Sequence, residues 1–79
     1  MKSIEKETER VKKMIVNGYE IRPWADLREA DLRGTNLSNT DLFGASLRWA
    51  DLSNAKLDNA ELYGADLRDT DLTGVDLST

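Results

Sequence analysis

Ala25-Asp26-Leu27-Arg28-Glu29-Ala30-Asp31-Leu32-Arg33-Gly34 opens a series that continues to Thr79 without a break. Every Leu in the chain lies on it at a spacing of five: Leu27, Leu32, Leu37, Leu42, Leu47, Leu52, Leu57, Leu62, Leu67, Leu72 and Leu77. Two residues before each Leu stands a small side chain, mostly Ala, with Thr35, Thr40, Thr70 and Val75 as variants. The residue immediately before Leu is polar, mostly Asp. Two residues after it come turn formers, including Gly34, Asn39, Gly44, Asn54, Asn59, Gly64, Asp69 and Gly74.

A period of five fits neither a 3.6-residue helix nor an extended two-residue strand over a long run. Within one unit, however, small–polar–Leu alternates as a strand does, so the small residue and Leu face the same way. The next two residues must turn the chain. Gly and Asn suit that corner because they tolerate positive φ, which the third residue of a type II turn requires. The pattern therefore predicts a coil of short extended segments joined by tight corners, with Leu and the small residues inside. Eleven buried Leu, at roughly 1.5–3 kcal/mol each, oppose the ordering entropy and argue against disorder.

These units resemble the pentapeptide-repeat family, whose motif is A-(D/N)-L-x-x. The resemblance covers residues 25–79 in eleven units; Ser46 and Lys56 depart from the acidic or amide position. It implies an all-β solenoid, a right-handed quadrilateral β-helix with four units per coil, hence 2.75 coils here. Some members of that family resemble duplex DNA in shape and charge and inhibit DNA gyrase.

Residues 1–24 read as a capping segment on the 25–79 solenoid, the two forming one structural domain. Ser3 to Val16 is expected as an N-terminal capping α-helix, with Ser3 as N-cap and Asn17-Gly18 as a C-terminal stop. Ile4, Val11, Met14 and Ile15 form its narrow apolar stripe, which packs on the open first coil. Tyr19, Ile21 and Trp24 are expected to complete the seal around Pro23. No such cap is read after Leu77, so a monomer and an end-to-end homodimer both remain open.

If four units make a coil, residues twenty apart stack into columns on four walls. Arg28, Arg48 and Arg68 share the first, where a ladder of surface ion pairs is the simplest reading. Asp31, Asp51 and Asp71 share the second, and Asn36 and Lys56 the third. Asp41 and Glu61 lie beside Phe43 and Tyr63 on the fourth. Trp49 stands at a corner where packing does not require it.

The 79 residues carry 11 Lys and Arg against 15 Asp and Glu, a net charge of −4. Residues 25–79 alone hold eleven carboxylates and five bases, a balance of −6. That sign disfavours direct nucleic-acid binding by a basic surface. The absence of Cys and His from the sequence excludes disulfides, thiolate chemistry and the commonest metal ligands. No nucleophile–base pair or phosphate loop is present, and the Asp recur with the repeat, singling out no catalytic pair. A non-enzymatic, cytoplasmic protein without cofactor, metal or membrane association is expected.

The resemblance then implies a protein-binding module, an acidic DNA mimic occupying the DNA-binding surface of another protein or complex. A type II topoisomerase, or for a phage-encoded chain a host defence complex such as a CRISPR effector, is a target of that class. Partner-binding candidates are Asp31, Asp51, Asp71, Asp41 and Glu61 for charge, and Phe43, Trp49 and Tyr63 for apolar anchoring. A scaffolding module unconnected with nucleic acid is the alternative.

Overall fold

In the computed structural model, residues 13–76 are described. Two short strands come first: β1, Met14–Val16, and β2, Tyr19–Ile21. They pair antiparallel, Met14 with Ile21 and Val16 with Tyr19. Asn17 and Gly18 join them with φ of 51° and 83°. Positive φ at both central residues is the signature of a type I′ hairpin turn, for which Asn-Gly is the favoured pair.

This corrects the expected capping helix at its C-terminal end: Met14–Val16 is a strand, and Asn17-Gly18 reverses the chain instead of stopping a helix. The rest of that expectation, Ser3 to Lys12, lies outside the described residues. The physical reason is local. A type I′ turn needs a left-handed residue at both positions, and Asn-Gly offers them at low steric cost between two β-branched segments.

From residue 24 onward the chain climbs in coils. Parallel bridges join Asp26 to Ser46, Asp31 to Asp51, Asn36 to Lys56 and Asp41 to Glu61, and continue from Ser46 to Asp66 and Asp51 to Asp71. Every partner is twenty residues away, so four pentapeptides close one circuit. The stacking reaches back to Trp24, whose N–H donates to the Phe43 carbonyl at 2.8 Å.

The five backbone N–H groups of a unit can be accounted for one by one. Leu27 donates to the Ser46 carbonyl at 2.8 Å, and Ser46 returns a bond to Ala25 at 2.9 Å. At the corner, Glu29 donates to Arg48 at 2.9 Å, while Ala30 closes the turn onto Leu27 at 3.1 Å. The fifth N–H, on the residue after Leu, takes part in no ladder bond. It donates to the side-chain oxygen of the residue before Leu, as from Arg28 to Asp26 at 3.2 Å, Ser38 to Asn36 at 3.0 Å and Thr73 to Asp71 at 2.9 Å. A short acceptor is therefore built into the motif, because a backbone N–H needs a partner.

Each described corner has positive φ at its third residue, from Trp24 through Gly74. The second residue is not in that region, which defines a type II turn. Pro23 occupies the second place of the Arg22–Ala25 corner, where its fixed φ is favoured.

The core is the Leu ladder. Leu27, Leu32, Leu37, Leu42, Leu47 and Leu52 are at most 1% exposed, with Ala25, Ala30, Ala45, Ala50 and Ala55 between them. Thr can replace Ala because its hydroxyl finds a carbonyl: Thr35 donates to Leu32 at 2.7 Å and Thr40 to Leu37 at 2.8 Å. Leu62, Leu67, Leu72 and Val75, in the later coil, are only partly buried.

At the other end Ile21 is buried, and Val16 and Tyr19 pack on the core. The expected seal by Tyr19 and Ile21 thus forms, but through a hairpin. Trp24 takes no part in it. Its ring lies outside and is 69% exposed.

Candidate functional site

The outer surface divides into four walls, each repeating every twenty residues. On the first, Asp26 and Arg28 form a two-bond fork, Nε to Oδ1 at 2.8 Å and Nη2 to Oδ2 at 2.8 Å. Asp66 and Arg68 repeat it at 2.9 and 2.7 Å. The guanidinium groups hold both carboxyls down at about 2, from an ordinary 3.8. The middle level has Ser46 in place of Asp, so Arg48 makes no such fork. Its guanidinium instead lies 4.3 Å from the centroid of the Trp49 ring, and Nη2 reaches Asp69 at 3.8 Å. The Nε of Arg48 is buried without a hydrogen-bond partner.

On the second wall Asp31, Asp51 and Asp71 stack in one column, as the bridges require. They are not equivalent. Asp31 is forked by Arg33 at 2.8 and 2.8 Å, which lowers its pKa. Asp51 accepts the Ser53 N–H at 2.9 Å and lies 3.9 Å from Arg33. The Asp71 pKa is lowered by hydrogen bonding from Thr73. Of the three, Asp31 is the one whose charge is already answered within its own unit.

The fourth wall brings Asp41 and Glu61 together as bridge partners, and beside them Phe43 over Tyr63. Those two rings are stacked at 5.5 Å between centroids with 19° between planes. Trp24 extends the stack upward, edge to face with Phe43 at 5.3 Å and 80°. Its ring occupies the space above Gly44. The candidate aromatics therefore separate. Phe43 and Tyr63 belong to one stripe headed by Trp24, whereas Trp49 lies on the first wall against Arg48.

Trp24 was missed as a surface residue because the unit before Ala25 carries Glu20 and Arg22 where the motif has Ala and Leu. The signal that finds it is arithmetic: Trp24 is twenty residues before Gly44 and shares its corner position.

Among the described residues, no group of three or more acidic side chains converges to hold a metal ion. No helix of those residues is long and apolar enough to cross a membrane. What the site offers chemically is a patterned outer surface: forked ion pairs, unforked carboxylates and a ladder of rings.

A tube of five-residue units turning four to a circuit, with Leu inside and short acceptors outside, is a β-solenoid. The family model for pentapeptide repeats, built of eight copies, matches residues 24–59 and again 41–78, and the chain belongs to this family. Among solved structures, a pentapeptide repeat protein, Rfr23, from the cyanobacterium Cyanothece 51142 is similar, with 32% identity and a TM-score of 0.61. The match covers 84% of this chain and 48% of that one, so the chain spans about half the length of that neighbour. No curated protein matches it.

Proposed function

We propose that the chain is a non-catalytic protein-binding module whose acidic walls occupy the cationic, nucleic-acid-binding surface of a partner. One observation carries the reading. Asp51 and Asp71 on the second wall, and Asp41 and Glu61 on the fourth, stand in stacked pairs with no Arg two residues later in their own units. Their carboxylates lie on the outer walls at roughly the strand spacing of 4.8 Å, with Asp51 within 3.9 Å of Arg33.

The mechanism is competition. Lys and Arg groups that would grip phosphates pair instead with these carboxylates, and binding weakens steeply with salt. Asp31 contributes less than its column mates because Arg33 already holds it. A type II topoisomerase or a DNA-gripping defence complex is a partner of the required class. The alternative, a scaffolding module with no nucleic-acid connection, uses the same walls with a partner that DNA does not displace.

The test exploits the corner chemistry. Asn36 accepts the same backbone N–H as the Asp residues do, so Asp→Asn changes remove charge while keeping the turn bond. The variant Asp41→Asn, Asp51→Asn, Glu61→Gln, Asp71→Asn is checked for folding by circular dichroism. It is then immobilised beside the parent protein and exposed to bacterial lysate, followed by elution with duplex DNA. Proteins released from the parent by DNA, and not captured by the variant, are the expected result. Partners that duplex DNA fails to displace, or that the variant holds equally well, would overturn the decoy reading.

A further inference from the structure

On the first two walls the motif Asp-Leu-Arg recurs, and the Arg two residues after Asp folds back to fork it. This happens at Asp26–Arg28, Asp31–Arg33 and Asp66–Arg68, with both carboxylate oxygens engaged. The fourth wall keeps the acid and replaces the Arg by a ring, giving Asp41-Leu42-Phe43 and Glu61-Leu62-Tyr63. The carboxylate column remains and its internal guanidinium is gone.

In its place runs a continuous stripe of Trp24, Phe43 and Tyr63, exposed by 69%, 37% and 77%. Three adjoining rings form a patch, not a scatter of single apolar residues, and patches of that kind mark interaction surfaces. Gly44 lies beneath the Trp24 indole, and a Cβ at Gly64 would meet only the Gly44 backbone. No Lys or Arg occurs in residues 40–44 or 60–64. Arg22, close to the head of the stripe, is paired with Glu20 at 3.3 Å.

A second observation is independent of charge. Trp24 holds φ at 63°, a region costly for any residue with a bulky side chain. Asn or Gly would fit that corner without strain, as they do at most others. The strain places an indole on the stripe, which packing of the core does not demand.

We infer that the fourth wall is an arginine-recognition strip: a guanidinium from a partner protein stacks on the rings and forks Asp41 or Glu61. The partner thereby completes the Asp–Arg arrangement that the first two walls make internally. The protein contains its own example of the stacking component in Arg48, which lies over Trp49. Guanidinium is favoured over ammonium because it is planar, less strongly hydrated and able to bind a carboxylate through two bonds while stacking. This inference rests on the protein-binding reading and names the partner chemistry that one wall selects.

The experiment is an NMR titration of the whole chain with blocked hexa-arginine and hexa-lysine peptides at low salt. The Trp24 indole signal is assigned with a Trp49→Asn variant. Hexa-arginine is expected to shift the Trp24 indole and the Phe43 and Tyr63 ring signals saturably, with affinity at least fivefold above hexa-lysine. Phe43→Ser with Tyr63→Ser, two exposed positions at which Ser38 and Ser53 stand elsewhere in the repeat, should weaken hexa-arginine about tenfold. Asp58→Asn, in the Lys56 unit of the third wall, should change it less than about twofold. Equal affinity for the two peptides, shifts centred on the second wall, or indifference to loss of the rings would overturn the strip. The titration needs no cellular partner, so its failure is distinct from failure of duplex DNA to displace one.

Discussion

The indole of Trp24 fills the space that a side chain at residue 44 would need: a Cβ on Gly44 would come within 2.5 Å of Cε3 and Cζ3. One coil further along, Gly64 has the same left-handed corner, but a Cβ there meets nothing closer than the Gly44 backbone N at 3.7 Å. The two glycines therefore separate backbone strain from ring packing. Gly64→Ala should cost about 1 kcal/mol, the left-handed penalty alone. Gly44→Ala adds displacement of the ring and should cost about 2–3 kcal/mol. Urea unfolding of both variants, with Trp24 fluorescence read in a Trp49→Asn background, checks the difference. Equal costs would mean that Trp24 swings away freely and is not held in the stripe.

The hairpin is tied to the solenoid at its tip. Asn17 Nδ2 donates to the Asp31 carbonyl at 3.0 Å. The corresponding carbonyl one coil later, on Asp51, accepts the Leu32 N–H of the coil before it. Asn17 thus supplies to the first coil the bond that a preceding coil supplies elsewhere. Asn17→Gly keeps the turn conformation and loses this bond, costing about 0.5–1 kcal/mol. Asn17→Ala loses both and should cost about 2 kcal/mol. Hydrogen exchange at the β1 and β2 amides, measured beside global unfolding, is the check.

How much of this was readable beforehand differs by residue. The Leu series announces the core, and the Gly and Asn series announces the corners, because the first repeats a single physical requirement eleven times and the second repeats another seven times. The circuit of four came from family resemblance, since a period of five alone is compatible with other windings; the bridges at twenty-residue separation establish it. The hairpin was misread because Asn-Gly ends helices and reverses strands equally well. The β-branched Ile15, Val16 and Ile21 on either side of Asn17-Gly18 are the clue that decides between them. On the surface, an Arg two residues after Asp gives no sign in sequence of whether it folds back or reaches outward. Asp31 was accordingly grouped with Asp51 and Asp71, although its fork with Arg33 sets it apart.

Those forks also make stability depend on acid in a predictable direction. Arg28 and Arg68 depress Asp26 and Asp66 to about 2, below an ordinary 3.8, and Asp31 and Asp71 are lowered too. A carboxyl with a depressed folded-state pKa contributes stability that is complete above its unfolded value and disappears as pH falls through the folded one. The urea midpoint should therefore be level from neutral pH down to about 5 and decline between about 4 and 2. Asp26 and Asp31 are well exposed and Asp66 partly so, and the decline should therefore be modest and shrink in about 0.5 M salt. Asp26→Asn with Asp66→Asn should flatten it. A midpoint that falls just as far in the double variant would assign the acid sensitivity to other groups.

Two further corners carry residues unsuited to them. Glu29 and Trp49 hold φ of 62° and 60°, where most of the other corners use Gly, Asn or Asp. The Arg28 guanidinium beside Glu29 is committed to Asp26. Replacing it by Gly relieves the left-handed conformation with little lost, and should stabilise by about 0.5–1 kcal/mol. Trp49→Gly relieves the same strain but removes the ring beneath Arg48, a contact of about 0.5–1 kcal/mol at a partly exposed site. Its net effect should lie near zero. Thermal unfolding of the two variants compares them directly, and the gap between them measures what stacking on Trp49 returns to Arg48. If Trp49→Gly stabilises as much as Glu29→Gly, the Arg48 contact contributes nothing to folding, and the strain at Trp49 needs a reason outside the fold of the single chain.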